Sequence, residues 1–192
     1  NMAYPDFFSI DGGSGGSATA PLEMMERVGL NIRDSIYLVD KVLRDYGVRD
    51  KVKLVASGKL LTPDDVVIVM AVGADFVQIA RGFMMSAGCI RARYCSGSTG
   101  HQCPVGLATQ DKSKRRKYFV YKHANYVRDY HKNLLKSIKG ILAVMGLKNI
   151  HELNKHKIIF VDRNSKVHDN IDDVFGRILN IGKDPEDADE FR

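Results

Sequence analysis

Three cysteines lie close together near the middle of the chain. Cys89, Cys95 and Cys103 fall within fifteen residues, and Pro104 follows the third. Soft metals prefer thiolate ligands, and iron–sulfur clusters are held by cysteine runs that often close in Cys-Pro. His101 could complete a zinc site as a fourth ligand, and unligated cysteines packed on a helix are the remaining alternative. The spacing favours ligation of a cluster or a metal.

A second segment is rich in glycine. Gly12, Gly13, Gly15 and Gly16 follow Asp11 within six residues. Glycines allow a backbone to approach a ligand closely and to point its N–H groups at that ligand. The same composition occurs in flexible spacers. The residues alone leave a ligand-binding loop and a linker open.

Two short turns combine glycine with a cation. Ser57-Gly58-Lys59 and Ala80-Arg81-Gly82 lie 23 residues apart. If these turns were neighbours in space, backbone amides and two positive charges would surround one anion, as a cofactor phosphate requires. The alternative is two ordinary turns with surface cations. The pairing of the turns favours phosphate binding.

Short apolar segments that precede these turns are predicted strands, at residues 7–10, 52–56 and 76–80. Helical patterns separate the strands, and this alternation is typical of right-handed βαβ units with a parallel sheet. Ligands gather at the carboxyl ends of the strands in such folds. We therefore expect the glycine-rich segment and both cationic turns to meet at one edge of the sheet.

Two predicted helices connect the strands. The second begins with the helix-start residues Thr62-Pro63-Asp64-Asp65 and ends at Gly73. The first presents one apolar face, formed by Ile36, Val39, Val42, Leu43 and Tyr46.

After Gln110 the pattern becomes that of a long amphipathic helix. An interruption is expected at Gly140, then a short helix over residues 147–153 and an extended piece over 157–161. The apolar positions of the long helix are Val120, Ala124, Val127, His131, Leu134, Ile138, Ile141 and Met145.

The bulk composition is that of a globular domain. The chain has 192 residues, of which 44% are hydrophobic and 27% are charged. No apolar run approaches the ~18 residues of a membrane span, and the first residues lack the pattern of a signal peptide. Three cysteines do not form a secreted disulfide scaffold, so we expect a reducing, cytoplasmic location. The predicted parts are a βα region (residues 6–110), a helical extension (111–182) and a disordered acidic tail (183–192).

The net charge of +6 permits a polyanionic partner. Cations concentrate in the segment 112–122, and Tyr118, Tyr121 and Tyr126 are interleaved with them or follow closely, as base stacking would need. No recognisable nucleic-acid motif accompanies this segment. A solvated surface is the favoured interpretation, and nucleic-acid binding is the least favoured function.

Four stretches of the chain carry a family resemblance. They are Asp11-Gly12-Gly13-Ser14-Gly15-Gly16 with Ala20-Pro21-Leu22-Glu23; Ala56-Ser57-Gly58-Lys59 with Asp64-Asp65-Val66; Gly73-Ala74-Asp75-Phe76-Val77 with Ala80-Arg81-Gly82-Phe83-Met84; and Gly88-Cys89-Ile90, Cys95 and Cys103-Pro104-Val105-Gly106-Leu107-Ala108-Thr109-Gln110. In this order they resemble the FMN-binding synthase domain of the glutamate synthase family. The stretch that closes the cysteine cluster is the most specific of the four.

The resemblance implies the C-terminal part, about three βα units, of a TIM-like (β/α)₈ barrel. It implies FMN, with its phosphate held by Ser57-Gly58-Lys59 and Ala80-Arg81-Gly82, and with the loop Gly12 to Gly16 lining the flavin and oxoacid pocket. It also implies a three-iron cluster (3Fe-4S) on Cys89, Cys95 and Cys103. The implied reaction is reductive amination of 2-oxoglutarate by ammonia, which can derive from glutamine, to give L-glutamate. Catalytic side chains are not identified.

Two features depart from the family pattern. Seven residues separate Cys95 from Cys103, more than in the family, although small polar residues fill the insertion. The barrel also lacks its first strands, so we expect the chain to need an N-terminal barrel partner or to self-associate. Alternative functions are another FMN-dependent barrel oxidoreductase, or an inactive fragment with a structural or interaction role.

Overall fold

The computed structural model of the chain describes residues 4–16, 20–95, 101–161, 166–168 and 171. The α-helices found there are α1 (Leu22–Arg27), α2 (Ile32–Asp45), α3 (Pro63–Ala71), α4 (Arg81–Ser86), α5 (Lys112–Arg115) and α6 (Val120–Val144). The strands are β1 (Phe7–Asp11), β2 (Lys53–Ser57), β3 (Phe76–Gln78), β4 (Phe160–Val161) and β5 (Val167–His168). None of the described helices is long and apolar enough to cross a membrane.

The first three strands form a parallel sheet in the order β1-β2-β3. Residue Asp11 pairs with Ser57, and Ser57 pairs with Gln78, so the three strands end at the same edge. Helices alternate with these strands along the chain. The predicted α/β class with a parallel sheet is therefore confirmed. The third strand stops at Gln78, two residues earlier than predicted.

One face of the sheet is covered by α2 and α3. Leu54 and Ala56 of the central strand are fully buried on this face, in a cluster with Ile36 of α2 and Val69 of α3. The two apolar residues Val42 and Tyr46, predicted to share the buried face of α2, are instead exposed. Only part of the predicted apolar stripe of α2 therefore faces the sheet.

The opposite face of the sheet is largely uncovered. Side chains alternate along a strand, so residues paired in register share a face. Phe7, which pairs with Lys53, and Phe76, which pairs with Val55, lie on this second face and are 59% and 58% exposed, while Val55 is buried. Large aromatic side chains on an uncovered sheet face are typical of a surface that another element covers.

Helix α6 packs against α3 in a second core. Leu134 and Ile138 are buried there, as predicted, and Leu142 joins them. Val120 and His131, also predicted on the apolar face, are exposed. The predicted break at Gly140 is wrong, because α6 continues through it to Val144. An interior glycine costs a helix only about 1 kcal/mol, and burial of the flanking side chains outweighs that cost.

Residues around the amino ends of β2 and β3 form a network of charges. The Arg49 guanidinium donates to Asp40 at 2.6 Å and to Asp75 at 2.8 Å. The Asp75 carboxylate also accepts the backbone N–H of Leu54 at 2.8 Å. This network joins α2 to the start of both strands.

The region after α6 differs from the prediction. A 3₁₀ turn at Ile150–Glu152 replaces the helix expected over 147–153, and the extended piece is shortened to β4. Strand β4 pairs antiparallel with β5. Ile171 is buried in the cluster that contains Leu54 and Ile36. The acidic tail predicted at residues 183–192 lies outside the described residues.

Candidate functional site

The glycine-rich segment after β1 is a folded loop at the carboxyl edge of the sheet. The Gly12 amide donates to the Ser57 carbonyl at 2.8 Å, and the Gly13 amide donates to the Leu30 carbonyl at 2.6 Å. A Cβ atom on Gly12 would lie 2.6 Å from the backbone nitrogen of Ile32, so only glycine fits there. These hydrogen bonds and contacts describe a packed turn rather than a spacer.

The turn after β2 lies directly beside this loop. Gly58 adopts a φ of 121°, and a Cβ atom on it would lie 3.0 Å from the Gly12 nitrogen. Lys59 has a left-handed φ of 51°, which is uncommon for a residue with a Cβ, and its side chain is exposed. The structure therefore brings the first two predicted loops together.

The turn after β3 is fixed by a residue from α6. Gly82 is buried, and a Cβ atom on it would fall 2.0 Å from the Tyr130 hydroxyl oxygen. That hydroxyl donates to the carbonyl of Leu61 at 2.8 Å. Tyr130 thus holds the loop after β3 against Leu61, which follows the turn after β2. No local sequence signal identifies Tyr130, because its role depends on how α6 packs against α3 and α4.

Two cations, Lys59 and Arg81, lie at this edge of the sheet. Within the described part of the chain, neither Lys59 nor Arg81 forms an ion pair. Lys59 is exposed and Arg81 is half-buried, while Ala80 is exposed. An edge with two unneutralised cations and glycine backbone suits an anionic ligand.

A cleft of about 400 Å³ opens beside the first two loops. Ser14 and Lys59 line it together with the ion pair between Arg33 and Asp65, whose charged atoms are 3.3 Å apart. Phe160 of β4 supplies an aromatic wall. The sequence pattern identified only an extended piece here and missed this contribution from a distant part of the chain.

The three cysteines line one small pocket, and all three are free thiols. Cys103 is buried, Cys89 is half-buried and Cys95 is exposed. The backbone N–H of Arg91 donates to the Cys89 sulfur at 3.4 Å. The backbone that follows Cys89 therefore folds back toward the Cys89 sulfur.

The loop that follows Cys103 surrounds its sulfur with amide groups. Burial by itself would raise the pKa of the Cys103 thiol. The backbone N–H groups of the four residues 105–108 outweigh burial and hold that pKa below its ordinary value. A ring of amides of this kind stabilises a thiolate, which is the form that binds metals.

The donor set fits a thiolate-held group. Across the residues that the structure describes, no three or more His, Cys, Asp or Glu side chains are arranged as a metal site. Three thiols nevertheless share one pocket, and amide donors reach the sulfurs of Cys89 and Cys103. Hydrogen bonds to sulfur are characteristic of iron–sulfur ligation. Iron–sulfur binding by these residues remains a prediction.

Other side chains hold the cysteine segment in place. The Tyr118 hydroxyl donates to the carbonyl of Ala87 at 2.6 Å, and the Tyr118 ring stacks on His123 with centroids 4.3 Å apart. His123 lies against Gly88, and its buried Nδ1 atom has no hydrogen-bond partner among the described residues. These residues were missed by sequence reasoning, because only the fold brings them to the first cysteine.

The basic segment forms a cleft of about 470 Å³ beside the cysteine loop, lined in part by Lys112, Arg115 and Arg116. Of the three tyrosines considered for base stacking, Tyr121 is 84% exposed. Tyr118 is engaged with His123 and is not free to stack on a base. The structure therefore removes one of the predicted stacking residues.

Comparison with known proteins gives consistent results. Residues 1–148 match the family described as the conserved region in glutamate synthase. The glutamate synthase large subunit-like protein YerD of Bacillus subtilis is 36% identical over 176 residues, which cover 92% of this chain and 33% of that protein. The archaeal glutamate synthase (NADPH) of Methanocaldococcus jannaschii is 32% identical over 163 residues, covering 84% and 31%. The glutamate synthase (NADPH) large chain of Azospirillum brasilense is 32% identical over 151 residues, covering 79% and 10%.

The chain spans about a third of the length of the first two relatives. It spans about a tenth of the large chain. The matched region includes the glycine-rich loop, both cationic turns and the three cysteines.

Proposed function

Because this chain belongs to the glutamate synthase family, we propose that it supplies cofactor-binding loops and a cysteine cluster to an oxidoreductase that makes L-glutamate from 2-oxoglutarate and ammonia. One observation carries the proposal. The loops after β1, β2 and β3 share the carboxyl edge of a parallel sheet, and Arg93 of the cysteine pocket hydrogen-bonds to Ala20 in the segment that follows β1. Ligands of parallel α/β folds bind at this edge.

The loops after β2 and β3 are suited to the phosphate of FMN. Backbone amides of Gly58 and Gly82 are expected to bind the phosphate oxygens, with Lys59 and Arg81 balancing the negative charge. The loop from Gly12 to Gly16 would line the pocket of the ring and the oxoacid. When bound, the flavin supplies hydride transfer.

The cysteine pocket is suited to a three-iron cluster. Cys89, Cys95 and Cys103 would hold it, and the amides around Cys103 favour the thiolate that ligation requires. A cluster of this type supplies one-electron transfer. Free thiols persist in a reducing compartment, so the proposed location is the cytoplasm.

The proposed activity needs further structure around the sheet. β1 and β3 are the outer strands of the three, and the face bearing Phe7 and Phe76 is uncovered in the described part. Unpaired strand edges and exposed aromatic residues favour pairing with more strands. We propose that the remaining strands of a barrel, or a second copy, cover them. A monodisperse monomer in light scattering would argue against this arrangement.

The cluster is tested by an anaerobic absorption spectrum with iron and sulfide analysis of the purified chain. We expect bound iron and a broad shoulder near ~400 nm. Cys103→Ser should lose the iron, whereas His101→Ala should keep it, since His101 is a ligand only in the zinc alternative. A colourless, iron-free chain would contradict the cluster.

Flavin binding is tested by titrating FMN and following the quenching of its fluorescence. Lys59→Ala and Arg81→Ala should each weaken binding by about tenfold, because each removes one charge from a phosphate contact. Lys139→Ala, an exposed lysine on α6, is the matched control and should bind as the unmodified chain does. Equal losses in all three variants would point to a nonspecific charge effect.

A further inference from the structure

Arg93 connects the cysteine pocket to another part of the molecule. It lines the pocket together with Cys89, Cys95 and Cys103. Its guanidinium donates a hydrogen bond to the carbonyl of Ala20, which lies 73 positions earlier in the chain. One side chain therefore contacts both the cysteine segment and the segment that follows β1.

Ala20 lies close to the glycine-rich loop. A Cβ atom added to Gly16 would lie 3.5 Å from the Ala20 Cβ atom, so the two residues are near neighbours. Gly16 itself has a φ of 128°, which residues with a side chain rarely adopt. Arg93 therefore bonds to a residue that lies next to the end of the glycine-rich loop.

The backbone of the cysteine segment is shaped to make this contact. Arg91 and Arg93 have left-handed φ values of 59° and 61°. This conformation is unfavourable for residues with a Cβ atom and persists where the surrounding structure fixes it. The Arg91 amide bonds to the Cys89 sulfur, and the Arg93 side chain bonds to Ala20. Each of the two left-handed residues thus has a specific partner.

We propose that Arg93 is a positioning residue that couples the cysteine pocket to the glycine-rich loop. A displacement of either segment is transmitted to the other through the guanidinium and Ala20. Such coupling is reciprocal, because a free-energy link between two sites acts in both directions. The identity of the ligands at the two ends rests on the proposed function, but the mechanical link does not.

The link is tested first without any ligand. Hydrogen–deuterium exchange would be measured for the loop after β1, and iodoacetamide alkylation rates for the three cysteines, by mass spectrometry. In Arg93→Ala we expect both the exchange rate of the loop amides and the alkylation rate of Cys89 to rise about fivefold or more. The exchange rate of the β2 amides should not change. Arg93→Lys, which keeps the positive charge and can still donate a hydrogen bond, should recover part of the difference.

Arg91→Ala is the matched control, since it removes a neighbouring arginine from the same pocket but leaves its backbone N–H bond to Cys89 intact. It should behave as the unmodified chain does. Unfolding midpoints of all variants are compared so that a global loss of stability is recognised. Unchanged exchange of the loop in Arg93→Ala, or an equal change in Arg91→Ala, would overturn the proposal.

A second arm uses FMN as the probe. If the unmodified chain binds FMN, alkylation of the cysteines should change on binding, and Arg93→Ala should bind FMN without that change. The same change in both proteins would overturn the coupling while leaving FMN binding in place. If the unmodified chain binds no FMN, the proposed flavin site fails, and the ligand-free arm alone decides the role of Arg93.

Discussion

The two ends of the parallel sheet differ in how their charges are treated. At the amino end, Arg49 is paired with both Asp40 and Asp75 and is nearly buried. At the carboxyl end, Lys59 and Arg81 have no acidic partner among the described residues. Several positions there are glycines, which have no side chain. The amino end pairs its charged groups with one another, whereas the carboxyl end presents two cations to which the described residues offer no acidic partner.

This difference separates stability from binding within one sheet. A network whose donors and acceptors are all paired has nothing left for a ligand and can only hold the strands and α2 together. Cations without an acidic partner contribute little to the fold but can bind an anion. Parallel α/β barrels divide their two ends in the same way.

The largest expected effect is at the amino end. Arg49→Ala leaves two partly buried carboxylates without their shared partner, so the free energy of unfolding should fall by about 3–5 kcal/mol in urea denaturation. Arg44→Ala is the matched control, because Arg44 also pairs with Asp40 but is 62% exposed. It should cost less than about 1 kcal/mol. Comparable losses in both variants would break the distinction between the two ends.

Glycine replacements should rank second. Gly82→Ala places a Cβ atom 2.0 Å from the Tyr130 hydroxyl, so we expect a loss of about 1–3 kcal/mol from overpacking, with weaker FMN binding. Adding Tyr130→Phe removes the clashing oxygen and should restore part of the loss. Gly140→Ala, where nothing lies within 4 Å, should instead stabilise α6 by up to about 1 kcal/mol. Destabilisation by both alanines would contradict the packing.

A change of the opposite sign is expected at Lys59. Glycine adopts the left-handed backbone freely, so Lys59→Gly should raise the free energy of unfolding by about 1 kcal/mol. The same variant should weaken FMN binding if Lys59 binds the phosphate as proposed, because it removes that positive charge. Urea denaturation and FMN titration of one protein measure both effects. A loss of stability would mean that the Lys59 side chain supports the fold.

The smallest effect concerns acid. Burial alone would raise the pKa of Asp75, but the Leu54 amide and Arg49 hold it below its ordinary value. A carboxylate with a lowered folded pKa stabilises the fold above its unfolded pKa of about 3.9, and this contribution is lost as pH falls through the folded value. Stability should therefore decline below about pH 4, and less steeply in Asp75→Asn. The free energy of unfolding would be measured by urea denaturation at pH 7 and pH 3 for both proteins. If it fell equally in the unmodified chain and in Asp75→Asn, Asp75 would be excluded as a contributor.

Features governed by neighbouring residues were predicted well. The start of α3 at Thr62 and its end near Gly73 follow from a capping box and a glycine, both of which act within one turn of helix. The break at Gly140 was wrong because packing against α3 outweighs a weak local preference. The exposure of Tyr46 was missed for a related reason, since a helical stripe does not say how much of itself the sheet will cover.

The candidate site likewise has features that the sequence predicts and contacts that it does not. The sequence by itself determined the order of strands and helices, the glycine loops and cations that follow each strand, and the cysteine spacing, because these depend on residue types at short range. Only the tertiary structure decided that Tyr130 packs on Gly82, that Arg93 reaches Ala20, and that Lys59 has no acidic partner among the described residues. Those contacts join residues far apart in the chain, and their geometry exists only after the sheet and α6 have packed.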